Sequence, residues 1–316
     1  MFSYFFLIYF YVLRSISGVT AHGVVNSVVV NGNDYIGFSW RSGFGDNSSQ
    51  LLAAWKQDNF VNYVGYDGTG IDKNSSFQSE AMICDRNATP GAVSIPIYVK
   101  SSLSLNSRLK IECFRSLAPQ LLHSALIIPY SSFEVLTYLA NCHGTCETVN
   151  KTALNFFKID QVGLVNTTKI IRAGEGVAPY LYSGTWGSDI MIKNNYTWDV
   201  AIPSDIAAGN YVLRHETIAL HNAVLPGTNA QVYPSCWNLI VKGNGTANPS
   251  GISATKFYTA NEPSMRFDIY DGSIEANPHL PPYPLPGPPM CDHAIEATQS
   301  YPSVPTAEAV GVLPSK

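Results

Sequence analysis

Short stretches of apolar and β-branched residues, separated by Gly, Asn and Pro, recur along the whole chain. They predict strands at 24–30, 92–99, 134–140, 156–159, 197–202, 210–221 and 236–242. The turn signal Asn31-Gly32-Asn33 follows the first strand, and the first half of 210–221 would also tolerate a helix. Many short strands with turns between them predict an all-β fold, an immunoglobulin/fibronectin-like antiparallel β-sandwich. The polar stretch 41–80 is expected to supply long surface loops.

Both ends of the chain differ in composition from its middle. Residues 1–21 are an apolar, aromatic run ending in Val19-Thr20-Ala21, small residues typical of a signal-peptide cleavage site. A membrane anchor is the alternative, but Arg14 interrupts the run, which is shorter than a bilayer span. We therefore expect a signal peptide at 1–21, one domain at 22–290 and a flexible tail at 291–316. The Pro-rich stretch 277–289 excludes a helix or central strand and is expected to lie extended over the domain.

Charge and composition exclude several function classes. The 316 residues are 13% charged with a formal net charge of −4, so no basic surface for nucleic acid is indicated. No Gly-rich phosphate-binding loop is visible, which argues against a nucleotide site. Seven Asn-x-Ser/Thr sequons and six cysteines behind a signal-like start favour a secreted, extracellular glycoprotein with disulfides. Zinc binding by Cys142-His143-Gly144-Thr145-Cys146 is the alternative use of two cysteines, but a second ligand pair is lacking.

The predicted cleavage after Ala21 makes His22 the first residue of the mature chain. A terminal histidine offers two nitrogen donors, its α-amine and a ring nitrogen, because a bound metal displaces the proton of the amine. Nitrogen ligands in a planar arrangement suit Cu(II). His22 is therefore a candidate copper ligand, although a histidine can also stand beside a cleavage site by chance.

Ordered motifs along the chain carry a family resemblance. They are His22-Gly23-Val24-Val25 and the stretches 29–32, 136–146, 156–160, 213–221, 230–236 and 283–289. The most specific is Ala230-Gln231-Val232-Tyr233-Pro234-Ser235-Cys236. Over about 22–100 and 134–290 the chain resembles the fungal lytic polysaccharide monooxygenases, auxiliary activity family nine, formerly glycoside hydrolase family sixty-one.

The resemblance implies a flat-faced β-sandwich that holds one copper ion in a histidine brace and oxidises cellulose or another β-1,4-linked polysaccharide. His22 matches the chelating terminal residue, and Tyr233 matches the axial tyrosine. His221 and Gln231 match the pair that hydrogen-bonds the oxygen species beside the metal. The resemblance also implies two disulfides, Cys84 with Cys236 and Cys142 with Cys146. It implies an external electron donor as partner, and we expect no nucleic acid, no membrane and a monomer.

Spacing gives independent support for part of this site. On an extended segment Gln231 and Tyr233 face one side, about 7 Å apart, so an amide and a phenol can converge. His215 and His221 would share a strand face about 20 Å apart, too far to bind one metal together. We interpret His215 as an ordinary interior or surface polar residue and His143 as an exposed loop residue.

The sequence departs from the family pattern before the strand at 134–140. The family carries its second copper histidine there, usually as Ser-His-x-Gly-Pro, whereas this chain reads Tyr130-Ser131-Ser132-Phe133-Glu134. The whole stretch 101–133 lacks the resemblance and contains an unexpected Cys113, for which Cys291 is a conceivable partner. Three explanations stay open: an error in the assembled coding sequence, His123 as a substitute ligand, or a protein with an impaired copper site.

Three functions are therefore compared. The leading hypothesis is an oxidoreductase that uses copper, an external reductant and O₂ or H₂O₂ to attack C1 or C4 of a β-1,4-glucan. The alternative, based on the missing histidine, is an inactive family member that binds polysaccharide or copper. A glycoside hydrolase with two carboxylates ranks last, because nothing in the sequence pairs Glu80, Asp85, Glu112 and Glu216 in a cleft.

Overall fold

The computed structural model describes residues 25–38, 51–57, 76–99, 108–113, 133–172, 181–224, 229–270 and 277–295, together with 297 and 299. Within these ranges the chain forms eleven strands and two short helices. The strands are β1 Val25–Val30, β2 Asn33–Ile36, β3 Ile95–Tyr98, β4 Arg108–Cys113, β5 Phe133–Asn141, β6 Phe157–Val162, β7 Leu164–Arg172, β8 Leu181–Trp186, β9 Thr197–Ala201, β10 Gly209–Ala219 and β11 Gln231–Lys242. The helices are α1 Ala81–Cys84 and α2 Gly187–Lys193, and short 3₁₀ turns span Cys146–Thr148, Lys151–Ala153 and Ala254–Lys256.

Two sheets make the sandwich. The smaller sheet has the strand order β2-β1-β4-β9, and the larger sheet has the order β3-β11-β10-β5-β6. Neighbouring strands are antiparallel, except that β3 runs parallel to β11. A separate hairpin, β7–β8, stands beside them. This architecture confirms the predicted all-β sandwich and adds one parallel pair to it.

The first core lies between the two sheets. Ile111 and Trp198 of the smaller sheet and Leu213 and Trp237 of the larger sheet are almost completely buried in it. The indole nitrogen of Trp198 donates to the carboxylate of Asp160 at 2.6 Å, so its polar atom is satisfied inside the core. Apolar area removed from water between the sheets is the main stabilising contribution to the sandwich.

A second core covers the outer face of the larger sheet. Tyr138 and Val232 on this face pack under the loop that carries Phe257 and under α1. Because both faces of the larger sheet are covered, nearly every residue of β10 is buried, and its sequence does not alternate in hydrophobicity. This double burial explains why the stretch 210–221 reads ambiguously between strand and helix, and the strand interpretation is confirmed.

The other sequence predictions can be compared with these elements. Strands lie within or overlap all seven predicted stretches, and Asn31 and Gly32 have the positive φ angles of the predicted turn. Four strands were missed: β2, which directly follows the predicted turn, β4, β7 and β8. β4 has an alternating pattern, with Leu109 and Ile111 buried, but it lies inside the stretch 101–133 that lacks the family resemblance. β7 and β8 pair with each other and with no other described strand, and β7 was missed although its sequence is rich in β-branched residues.

The C-terminal segment lies against the domain in extended form, as its prolines predict. The Lys158 ammonium donates to the carbonyl of Pro286 at 2.7 Å, and the Cys291 amide donates to the carbonyl of Lys158 at 2.9 Å. Further on, Ala297 is buried and the Gln299 amide bonds the backbone of Asp199. The first residues of the predicted tail therefore make contacts, while the boundaries at 21 and 290 stay predictions.

Within the ranges the structure describes, no helix has the length and apolar character needed to cross a bilayer. The predicted signal segment lies outside these ranges.

Candidate active site at one end of the sandwich

Strand registers bring several predicted site residues to one end of the larger sheet. Ala219, the last residue of β10, pairs with Gln231 at the start of β11 and with Phe133 at the start of β5. The end of β10, the beginning of β11 and the beginning of β5 therefore meet. The positions where the family carries its second copper histidine, around Ser131 and Ser132, directly precede this end of β5.

The beginning of β1, which belongs to the smaller sheet, lies at the same end. Lys242 at the far end of β11 lines a pocket together with Asp205, which follows β9. Ala201 at the end of β9 pairs with Arg108, and at the other end of β4 Cys113 pairs with Val25. Val25 therefore lies at the end away from Lys242, which is the end that holds Gln231. His22, three residues before Val25, lies outside the described residues.

Gln231 and Tyr233 make the contact that their spacing predicts. They are two residues apart on β11, and the phenol of Tyr233 donates to Oε1 of Gln231 at 2.7 Å. Both are almost buried, with exposed fractions of 7% and 5%. Their contact leaves the amide nitrogen of Gln231 as the donor of this pair.

His221 lies in the turn after β10, not on the strand. β10 ends at Ala219, and a turn with the Ala223 amide bonded to the carbonyl of Leu220 follows. The strand geometry assumed for His215 and His221 is therefore wrong for His221, because ladder pairing stops at Ala219. Its backbone is held by Tyr270, whose hydroxyl donates to the His221 carbonyl at 3.2 Å. The half-buried imidazole thus belongs to the loop that joins β10 to β11.

His215 is an interior polar residue, as interpreted from the sequence. Its Nδ1 and the hydroxyl of Thr137 are 2.9 Å apart, and Nε2 is buried without a hydrogen-bond partner. Burial, with a further contribution from the neighbouring Arg214 charge, lowers the pKa of His215 to about 3. His215 therefore stays neutral in the folded protein. His143 is exposed in the Cys142–Cys146 loop, with a φ of 50°, which agrees with its interpretation.

One of the two disulfides lies near this end of the larger sheet and the other lies towards the opposite end, beside Asn210 at the start of β10. Cys84–Cys236 joins α1 to β11 three residues after Tyr233, and Cys142–Cys146 closes a small loop at the end of β5. Among the cysteines whose side chains the structure describes, Cys291 is free, so the conceivable pairing with Cys113 is not formed. The rigid link through Cys236 fixes the segment that carries Gln231 and Tyr233.

A buried polar network behind the site was missed by sequence reasoning. On the outer face of the larger sheet, Arg214 and Glu216 form a fully buried ion pair with a nitrogen–oxygen distance of 2.6 Å. Tyr258 donates a short hydrogen bond to Glu216, and the hydroxyl of Tyr138 lies 2.9 Å from that of Tyr258. Glu216 therefore faces the core, and not a substrate cleft as the hydrolase alternative requires.

Glu134 is the unusual member of this buried layer. Both carboxylate oxygens are buried without a hydrogen-bond partner. Burial raises the pKa of Glu134 well above its ordinary value, and the charge of Glu216 raises it further. A carboxyl group is unfavourable at this position, because a buried carboxyl normally has hydrogen-bond partners.

Two of the described side chains at this end could contribute to a copper site. Tyr233 offers a phenol, and His221 an imidazole, beside the point where β1 and β5 begin. Within the described part of the chain, no group of three or more His, Cys, Asp and Glu side chains is arranged to hold a metal. Tyr233 and His221 are therefore the described candidate site residues at this end, while the predicted ligand His22, the position near Ser131 and His123 lie outside the described residues.

Comparison with known proteins identifies the class. A profile of Auxiliary Activity family 9 (formerly GH61) matches residues 22–278, which is most of the chain. The chain therefore belongs to this family of copper-dependent lytic polysaccharide monooxygenases.

Individual members of the family are similar to this chain over nearly its whole length. AA9 family lytic polysaccharide monooxygenase I of Botryotinia fuckeliana (strain B05.10) is 38% identical over 300 residues, covering 95% of this chain and 96% of that protein. AA9 family lytic polysaccharide monooxygenase cel61A of Hypocrea jecorina (strain QM6a) is 33% identical, covering 94% of this chain and 74% of that protein. Among solved structures, the extended catalytic domain of H. jecorina LPMO9A has a TM-score of 0.65 at 31% identity, covering 89% of this chain and 100% of that one.

Proposed function

We propose that the mature protein is a secreted enzyme that oxidatively cleaves cellulose or a related β-1,4-glucan at the end of the sandwich that holds Gln231 and Tyr233. The observation that carries the proposal is the contact between these two side chains beside the points where β1 and β5 begin. Signal-peptide removal after Ala21 would bring His22 to the chain terminus, and the family profile also begins at residue 22.

Each residue has a proposed task. His22 would hold one copper ion through its α-amine and imidazole, and the phenol of Tyr233 would lie beside the ion. Gln231 accepts a hydrogen bond from Tyr233, so its amide nitrogen is oriented to donate to an oxygen species. His221 would supply a second donor from the turn after β10.

The bound copper would supply one-electron redox chemistry driven by an external reductant. Overall, O₂ with two electrons and two protons, or H₂O₂ alone, would convert one C–H bond of the sugar to C–OH and release water. Hydroxylation at C1 or C4 then breaks the glycosidic bond. The residues of this chain position the polysaccharide and donate hydrogen bonds, and no organic cofactor is required.

The missing second histidine favours a second candidate, a binding protein with this fold. Buried strand residues on both sides narrow down the stretch in which the chain departs from the family pattern. Leu109 and Ile111 are buried in the inter-sheet core and Val135 is buried on β5, so both flanks encode proper strands. A coding-sequence error would therefore fall within residues 114–134. Glu134 is included because its carboxylate is buried without a hydrogen-bond partner. Sequencing the transcript across these codons tests this: an unchanged reading through Ser131 and Ser132 would eliminate the error.

The proposed activity is tested on protein secreted from a fungal host. The expected results are an N-terminal His22 by intact mass, one copper ion bound, and oxidised oligosaccharides from cellulose that require both reductant and copper. Gln231→Leu should lower the rate at least about 10-fold, whereas His143→Gln, which changes an exposed histidine, should leave it unchanged.

Other outcomes of the same assay favour the other candidates. Binding to cellulose without product release would favour the binding protein, and reductant-independent hydrolysis would revive the hydrolase. Introducing Ser131→His or Ser132→His into an inactive protein should then restore copper affinity if the ligand is simply absent. A mature terminus other than His22 would overturn the copper proposal.

A further inference from the structure

A pocket of about 1130 Å³ lies at the opposite end of the molecule from the copper site. It opens beside the ends of β3 and β11, and its lining includes Tyr98, Asp205, Lys242, Asn244 and His293. From Gln231 to Lys242 the strand extends about 35 Å. The pocket is therefore remote from the proposed catalytic end, and no step of the oxidation uses it.

The loop that carries Asn244 is held on both sides. The amide of Ala247 donates to the carbonyl of Asp205 at 2.8 Å, and that of Ala207 donates to Ala247 at 2.7 Å. A side chain at Gly245 would collide with the backbone of Asp205, and one at Gly243 would collide with Val99. Asn244 is thus an exposed residue on a loop that packs tightly against its neighbours.

The wall of the pocket has the chemistry of a saccharide site. Tyr98 leaves 49% of its surface exposed, with the Lys242 ammonium 5.3 Å from the ring centroid. The polar side is formed by the His293–Asp205 pair, whose Nδ1 and Oδ2 atoms are 2.6 Å apart. An exposed aromatic ring beside carboxylate and imidazole groups offers an apolar face and hydrogen-bonding groups together, which are what the C–H face and the hydroxyls of a sugar need.

The sequence of the pocket wall itself indicates what would occupy the pocket. Asn244-Gly245-Thr246 is a sequon, and both Asn244 and Thr246 line the pocket. We propose that Asn244 carries an N-linked glycan whose first N-acetylglucosamine residues lie in this pocket against Tyr98. The inference depends on the export proposed above and not on the copper chemistry. The transfer joins C1 of the sugar to Nδ2 of Asn244, which loses a proton, while a lipid diphosphate leaves from the oligosaccharide donor.

Occupancy is tested first, by glycopeptide mapping of the secreted full-length protein. The expected result is a glycan on the peptide that contains Asn244. Glycans at other sequons with a bare Asn244 would overturn this inference alone. Absence of glycan from every sequon in a secreting host would instead contradict the proposed export.

Contact with Tyr98 is tested by a double-mutant cycle on thermal unfolding. Thr246→Ala removes the sequon without altering Asn244 and should lower the midpoint by about 2 °C. In the Tyr98→Ala background the same change should have no further effect. Thr168→Ala is the matched control, since it removes the sequon at the exposed Asn166 on β7, and any effect it has should not depend on Tyr98.

Two results would reject the pocket contact. One is an equal loss from Thr246→Ala with and without Tyr98. The other is full retention of the midpoint after the entire glycan is removed enzymatically from the folded protein. Trimming to a single N-acetylglucosamine should keep most of the stabilisation if the first sugar makes the contact.

Discussion

At the scale of single residues, the buried ion pair behind the site has the largest energetic consequence. Arg214 donates to Glu216 and also to the carbonyls of Met82 and Ile83, so its guanidinium is held by several acceptors. Both side chains have no exposed surface. A charge that loses its partner in such an environment cannot be compensated by water.

We therefore expect Glu216→Leu to lower the free energy of unfolding by about 3–5 kcal/mol. The matched control is Glu80→Gln, which removes an ion pair with Lys151 whose carboxylate side chain is 63% exposed; it should cost less than about 1 kcal/mol. Urea denaturation at neutral pH measures both. Equal effects would mean that the buried pair contributes no more than a surface pair.

His215 should make the protein sensitive to acid. In the unfolded chain its imidazole takes up a proton below about pH 6.5, whereas burial and the Arg214 charge keep the pKa at about 3 in the folded state. Stability is thus fully present above pH 6.5 and is lost as the pH falls towards 3, by at most about 5 kcal/mol from this residue.

His215→Gln tests this pH dependence. The variant should lose some stability at pH 7, because Thr137 and the core must adjust, but its stability should fall less steeply between pH 6.5 and pH 3. His143→Gln changes an exposed imidazole and should keep the wild-type slope. Parallel slopes for wild type and His215→Gln in urea titrations across this range would contradict the assignment.

At the scale of elements, β11 is a strand that contains a proline without being interrupted by it. Pro234 lies inside β11 and has no amide proton to donate. β3 pairs with β11 only from Leu239 to Lys242, so none of the described strands pairs with β11 on that side of Pro234. The side chain of Gln57 instead bonds the Pro234 carbonyl at 3.2 Å. The strand can therefore continue from the Gln231–Tyr233 pair to the disulfide at Cys236 without a break.

Close packing of the segment 51–57 against this strand requires a glycine at position 91. A Cβ atom on Gly91 would lie 2.7 Å from the carbonyl oxygen of Leu52 and closer still to that of Ala53. Gly91→Ala should therefore destabilise the protein by about 1–3 kcal/mol, as overpacking does.

The control for Gly91→Ala is Gly209→Ala at the start of β10. There the nearest atom to an added Cβ is a Tyr211 ring carbon 3.7 Å away, so an effect within about 0.5 kcal/mol is expected. Equilibrium unfolding in urea compares the two. A tolerated Gly91→Ala would mean that segment 51–57 moves away without cost.

At the scale of the whole molecule, the two disulfides differ in the length of chain that they close. Cys84 and Cys236 are 152 positions apart, whereas Cys142 and Cys146 are 4 apart. The long link joins α1 to β11 and closes a loop of about half of the 316-residue unfolded chain. In the chain-entropy description it stabilises by about 5 kcal/mol, against about 2 kcal/mol for the short loop.

The paired variants Cys84→Ala/Cys236→Ala and Cys142→Ala/Cys146→Ala test this difference. The first pair should lower the melting temperature much more than the second, and should also loosen Gln231 and Tyr233, so copper affinity should drop with it. The second pair serves as the control for removal of a disulfide near β5. A larger loss from the short loop would indicate that native-state strain, and not unfolded-chain entropy, decides.

The sequence by itself determined seven of the eleven described strands and the membership in the family, and the family resemblance implied the two disulfide pairings. The strands and the placing of Gln231 and Tyr233 on one side of β11 follow from local signals: apolar runs bounded by turns, and alternation. Features of this kind depend only on neighbouring residues, so they can be read along the chain. β4 was missed although its pattern alternates, because its surroundings lack the motifs that guided the comparison.

Only the tertiary structure decided which residues meet across the fold. It brings the start of β1 and the start of β5 to the end that holds Gln231, removes His221 from the strand, and buries Arg214, Glu216 and Glu134 in one layer. It also brings the exposed Asn244 to the wall of one pocket with Tyr98, more than a hundred positions away along the chain. Strand register and the covering of both faces of a sheet arise from long-range pairing, and no local pattern of hydrophobicity specifies them.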